Sequence, residues 1–233
     1  MKSQLTVGVL SPLVGGFYFG GVISGVNRAT RAYGGSLVAV QTFDAGLEHT
    51  DYHEPQRTAD RVAWDRVDGY VVLVDALTSD DLQALSQHKP LVVVSGGGGI
   101  SCPTVAPDNA AGIAAAIDHL VWHGHTRIGF IGCPVQADMR ERFAAYQSAL
   151  ERHGISAGGW NHEVEDSRQQ GGRAGGQALL AAGVPTTALI TATDGNALGV
   201  MQELRAAGLE LPRDQAIIGF DDTEAAQHAT PTR

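Results

Sequence analysis

At 233 residues the chain is too long for one modest α/β layer and has the length of two lobes of about 100 to 150 residues each. Hydrophobic residues make up 43% and charged residues 18% of it, which excludes a wholly disordered chain. Sixteen Lys and Arg against twenty-five Asp and Glu leave a formal net charge of −9, a field that repels a phosphate backbone and excludes nucleic-acid binding by this segment itself.

Short β-branched runs alternate with longer stretches of helical period, which predicts βαβ units around parallel sheets. Leu5 to Leu10 reads as the first strand. Phe17 to Tyr33 follows as a helix with Phe19, Ile23 and Val26 on one face, stopped by Gly34-Gly35, since glycine supplies the left-handed conformation of a helix stop. Ser36 to Thr42 is a strand and Glu54 to Trp64 a helix with Pro55 in its first turn, where a missing N–H is harmless. Gly69 to Val74 is a strand, Ser79 to Gln87 a short helix, and Leu91 to Ser95 a strand entered through Pro90. Asp108 is a good N-cap for a helix through Trp122 with Ile113, Ile117 and Val121 on one side. The cycle then repeats: strand Arg127 to Ile131, helix Asp138 to His153, helix Gly172 to Ala182, strand Ala188 to Ala192, helix Asn196 to Ala207 and strand Ala216 to Phe220. The two sets meet at His123-Gly124-His125, giving expected lobes of 1–122 and 123–233.

The two cysteines, Cys102 and Cys133, form no CxxC motif. No signal-peptide h-region and no apolar run of about 18 residues occurs, so no membrane contact and a cytoplasmic location are expected. Gly15-Gly16 and Gly20-Gly21 flank Phe17-Tyr18-Phe19 after the first strand, but the spacing is neither GxGxxG nor a P-loop. The turn reads instead as one that turns aromatic side chains toward a cleft, off the carboxyl ends of the strands. His119, His123 and His125, or His49 with His53, have spacings that could ligate a metal. No Cys or carboxylate completes either set, and imidazoles at a helix end also cap carbonyls. There is no GxSxG elbow, and Asp221-Asp222 are adjacent residues at a strand end, pointing to opposite sides. The expectation is a binding protein without catalysis, metal or cofactor.

Arg140 and Arg142 stand near the start of a helix, where positive charge opposes the macrodipole and needs another reason. A guanidinium offers planar donors to hydroxyl pairs, carboxylates or purine edges. A surface salt bridge to Glu141 or Asp138 is the plainer alternative, worth about 0 to 1 kcal/mol. Arg142 is taken as a ligand contact and Arg140 as structural.

Several segments in order resemble the effector-binding core of the LacI/GalR family. They are Arg66-Val67-Asp68-Gly69; Val105-Ala106-Pro107-Asp108-Asn109 with Gly112; His119-Leu120; and Gly124-His125-Thr126-Arg127-Ile128. Arg142 with Ala145-Tyr146 and Ala149-Leu150, Thr193-Asp194 with Ala197 and Gly199, and Gly219-Phe220-Asp221-Asp222 complete the series. The resemblance implies an α/β fold of two Rossmann-like lobes with parallel sheets, periplasmic-binding-protein-like type I, with a ligand cleft between them. It implies that Tyr18 and Phe19 pack against a sugar or base, that Arg142 grips the ligand with Asp138 one turn before it, and that Asp221 accepts from ligand hydroxyls or amines. Thr193 with Asp194 matches a pair usually Asn-Asp, and Ser95 and Ser167 fall near two further polar positions. The implied function is a small-molecule (sugar, polyol or purine-like) sensor core of a LacI-type transcriptional regulator. Operator DNA would be contacted through a helix-turn-helix that this sequence does not contain, and a homodimer is implied through the first lobe. The alternatives are the input domain of a kinase or cyclase and a free periplasmic sugar-binding protein. The chain stops at Pro231-Thr232-Arg233, short of the return crossover the family makes, so a truncated or processed fragment is expected.

Overall fold

The computed structural model describes residues 4–42, 66–74, 76–96, 101–156 and 159–230. Among them the chain divides into two units, residues 1–107 and 108–233.

In the first unit, β1 (Thr6–Ser11) leads to α1 (Phe17–Ala32), then β2 (Ser36–Gln41), β3 (Gly69–Leu73), α2 (Ser79–Ser86), β4 (Leu91–Val94) and β5 (Thr104–Val105). All pairings are parallel, in the order β2-β1-β3-β4-β5. The core is aliphatic: Leu10, Val72, Leu77, Leu82, Leu85, Leu91 and Val93 are buried, with Tyr70 among them. Gly8 in β1 is what admits that ring, since a Cβ there would stand 2.7 Å from it. The expected helix over 54–64, the His49/His53 pair and the 97–99 glycines lie outside the described residues.

The second unit repeats the plan. It runs α3 (Asn109–Trp122), β6 (Ile128–Gly132), α4 (Ala137–Arg152), β7 (Asn161–Glu163), α5 (Gln169–Ala181), β8 (Ala188–Thr191), α6 (Asp194–Ala206), β9 (Ala216–Ile218) and α7 (Glu224–Gln227). Its parallel sheet has the order β7-β6-β8-β9. Two apolar clusters flank it. One, around Ile113, Ile117, Phe130, Tyr146 and Ile190, joins α3 and α4 to the sheet; the other, around Ile131, Leu179, Leu189, Val200 and Leu204, joins α5 and α6.

The division falls before α3, not after it at 122/123 as the glycine at 124 suggested. The physical reason is burial: Ile113, Ile117 and Leu120 of α3 pack into the same core as Tyr146 and Leu150 of α4. Gly124, at φ 86°, only ends the helix, with His125 N–H returning to Leu120 O at 3.0 Å.

Doubly wound sheets bind ligands off the carboxyl ends of their strands, where the strand order reverses. In the second unit that point lies between β6 and β8. Gly132 at the end of β6 and Ala192 just past β8 lie side by side there.

Candidate functional site

Arg142 lies in the second turn of α4 and is only 4% exposed. A buried guanidinium must be paired, and this one is. Its Nε donates to Asn109 Oδ1 at 2.9 Å, and its Nη1 donates to Ala192 O at 2.5 Å and to Asp221 Oδ1 at 3.1 Å. The Phe220 ring covers one face of the guanidinium, 3.7 Å from its centre, a cation–π contact. So the reason for an arginine here is a set of buried acceptors. It stands beyond the first turn, and the macrodipole argument does not apply to it.

Glycines set the space around that ring and loop. A Cβ on Gly112 of α3 would stand 2.7 Å from the Phe220 ring, and one on Gly219 would stand 2.3 Å from Asp194 Oδ1. Asp194 ties the loop down from both sides, its N–H donating to Phe220 O at 2.8 Å and its Oδ2 accepting from Thr223 N–H at 2.7 Å. Between these anchors Asp221 and Asp222 have φ 116° and 53°, two consecutive non-glycine residues in a region L side chains seldom occupy. Such strain persists only where the surroundings impose it, and it gathers at functional sites.

Burial pushes the Asp221 carboxyl up from its ordinary 3.8 to about 6; Arg142 opposes that shift and the Asp194 carboxylate adds to it.

The other expected site residues have different surroundings. Thr193 caps α6, its hydroxyl accepting from Asn196 N–H at 3.1 Å and donating to Ser167 O at 2.6 Å. Its one hydroxyl hydrogen is therefore committed to the fold. Ser167 is half-buried, and Asp138 lies half-buried in the first turn of α4. In the first unit Tyr18 and Phe19 sit at the start of α1, ring centroids 5.2 Å apart and edge to face. Ser95 follows β4, buried, with φ 51°. All three lie past the carboxyl ends of β1 or β4. The structure thus joins Arg142 to Asp221, Asp194 to the 220–223 loop, and Thr193 to Ser167, each within the second unit.

Arg140 donates through Nη1 to the carbonyls of Pro134 and Val135, holding the loop before its own helix. Glu141, the salt-bridge partner weighed for it, accepts instead from Asn109 Nδ2 at 2.8 Å. His119, Trp122 and His123 form an aromatic group at the end of α3, and among the described residues no cluster of His, Cys, Asp or Glu could hold a metal ion.

Asn109, Phe220 and the Ala192 carbonyl were not foreseen. Asn109 follows the capping Asp108 and looks like part of the helix start. Its burial to 2% exposure is the sign of another role, and burial of a helix N1 amide cannot be read from sequence.

Arg142 of α4 thus meets Asp221 and the Phe220 ring of the loop after β9, and comparison with known proteins gives the family. Residues 117–232 match the periplasmic binding protein-like domain family. The HTH-type transcriptional regulator MalR of Streptomyces coelicolor is 34% identical over 175 residues, 70% of this chain and 49% of that protein. The ribose operon repressor of Escherichia coli is 28% identical, over 97% of this chain and 68% of its own length. A LacI-family regulator from Burkholderia phymatum superposes with a TM-score of 0.82 at 27% identity, covering 97% of this chain and 82% of that one. The chain is a LacI/GalR-family effector-binding domain. It spans about half to two thirds of the length of those curated relatives, which are transcriptional regulators. No helix among its described residues is long and apolar enough to cross a membrane.

Proposed function

We propose that this LacI/GalR-family domain is the sensor of a transcriptional regulator and that its effector is a neutral, polyhydroxylated small molecule, a sugar foremost. The observation that carries the reading is the buried Arg142–Asp221 pair on the Phe220 ring. A guanidinium donates to ligand oxygens, a carboxylate accepts from hydroxyls, and an aromatic face covers the apolar side of a sugar or base. Relatives point the same way: one is the ribose operon repressor, and a LacI-family regulator from Enterococcus faecium was crystallised with ribose.

Asp138, Ser167, Thr193 and Asp194 complete the proposed site in the second unit, with Thr193 and Asp194 acting through the loops they hold; Tyr18, Phe19 and Ser95 are further residues proposed to touch the effector. An effector shifts a conformational equilibrium only by its differential affinity for the two states. The output would be operator DNA bound by a helix-turn-helix of the whole regulator as a homodimer, with half-sites spaced to match. With a net charge of −9, this domain would contribute no attraction for DNA.

Thermal shift against sugars, polyols and purines tests the reading, since a bound ligand raises the melting temperature by mass action. At a ligand concentration about 100 times its Kd the stabilisation is about 2.7 kcal/mol. Arg142→Ala and Asp221→Ala should abolish the shift while leaving the protein folded. A normal response in both variants would place the site elsewhere.

A further inference from the structure

A guanidinium has five N–H donors, and the placement of those of Arg142 restricts what it can bind. Nε is engaged by Asn109 Oδ1, and Nη1 by Ala192 O and Asp221 Oδ1. Phe220 closes one face. Among the described residues no acceptor meets Nη2. Carboxylates and phosphates grip arginine through two parallel N–H···O bonds from neighbouring nitrogens, either Nε with Nη2 or Nη1 with Nη2. Both forks are interrupted here, one by Asn109 and the other by Ala192 and Asp221.

Asn109 is fixed in that position. Its Nδ2 donates to Glu141 Oε2 at 2.8 Å, so rotating the amide by half a turn would face donor to donor and acceptor to acceptor. Its backbone is the first residue of α3, directly behind Asp108, whose Oδ1 caps Ala111 N–H at 2.9 Å. Helix, cap and Glu141 together hold one carbonyl oxygen against one edge of the guanidinium.

We propose that Asn109 is a specificity-determining residue which, by occupying Nε of Arg142, makes the site select neutral hydroxyl or carbonyl ligands and reject carboxylates and phosphates. The inference rests on Arg142 being the ligand-gripping arginine of the proposed function. With Nε taken, a ligand finds a single nitrogen, Nη2, whose two hydrogens suit one or two neutral oxygens. Asp221 adds charge repulsion against an anion, but from the Nη1 side. Asn109 is what closes the Nε side, which Asp221 does not reach.

The test is calorimetric titration of matched pairs: D-ribose with D-ribonate, D-glucose with D-gluconate, D-galactose with D-galactonate. The wild-type domain should bind one of the neutral sugars at least about tenfold more tightly than its acid, the scale of one charge-assisted hydrogen bond. Asn109→Ala frees Nε for a two-nitrogen grip, and that preference should fall by about tenfold. A merely structural loss would weaken both members of a pair alike, so an unchanged ratio in Asn109→Ala overturns the assignment. Should Asn109→Ala not fold, Glu141→Ala removes only the exposed partner of the amide; a fall in the ratio supports the proposal and an unchanged ratio overturns it. Wild-type protein that binds neither sugars nor acids would instead overturn the ligand reading on which the proposal rests.

Discussion

Asp221 carries two burdens, a left-handed backbone and a carboxyl pushed up to about 6 by burial. Because the folded-state value lies above the ordinary 3.8, its contribution to stability is present below that pH and is lost as pH rises through about 6. Ligand binding should run the other way. Only the ionised carboxylate accepts from two hydroxyls, so affinity for a neutral sugar should rise between roughly pH 5 and 7 and level off above. Titrations across that range check this, and Asp221→Asn should remove the pH dependence along with part of the affinity. An affinity that does not vary with pH in the wild-type protein would mean that Asp221 does not accept from the ligand. Arg142 and Asp221 were picked out in the sequence by the motifs around them, Arg142 with Ala145-Tyr146 and Asp221 in Gly219-Phe220-Asp221-Asp222. The partner at 109 was not, since an amide one place beyond a good N-cap has the same appearance whether solvated or buried.

At the scale of elements, α5 and α6 meet through glycine. A Cβ on Gly172 would stand 2.1 Å from Asn196 O, and one on Gly199 would stand 2.1 Å from Gln169 O. Gly172→Ala should therefore destabilise by about 1 to 3 kcal/mol or more through overpacking, although alanine is the better helix former. Thr193→Ala should cost about 1 kcal/mol through the lost cap of α6, and it should also release the Ser167 carbonyl. Urea denaturation measures both; a Gly172→Ala variant as stable as wild type would mean the two helices can separate. The long elements were readable because β-branched runs and glycine stops recur at βαβ spacing. Three short ones were not: β5 has two exposed residues, β7 is the polar edge segment Asn-His-Glu, and α7 is four residues long. Each is held by a neighbour or a cap, β7 by pairing with β6 and α7 by the Thr223 hydroxyl, and none carries the apolar period that marks an element in sequence.

For the whole molecule, each unit has its own parallel sheet and its own buried clusters, so the second should fold without the first. Residues 108–233 expressed alone should melt cooperatively by circular dichroism, and a gradual, non-cooperative loss of signal would show that the core around Tyr146 depends on the rest of the chain. The backbone at Asp221 and Asp222 has a consequence for the protein under selection. Glycine would relieve a penalty of about 1 to 3 kcal/mol at each strained position, so a library sorted only for heat resistance should accumulate glycine there. At position 222 that exchange would be harmless to the Arg142 pairing. At position 221 it would yield a hardier protein that no longer hears its signal.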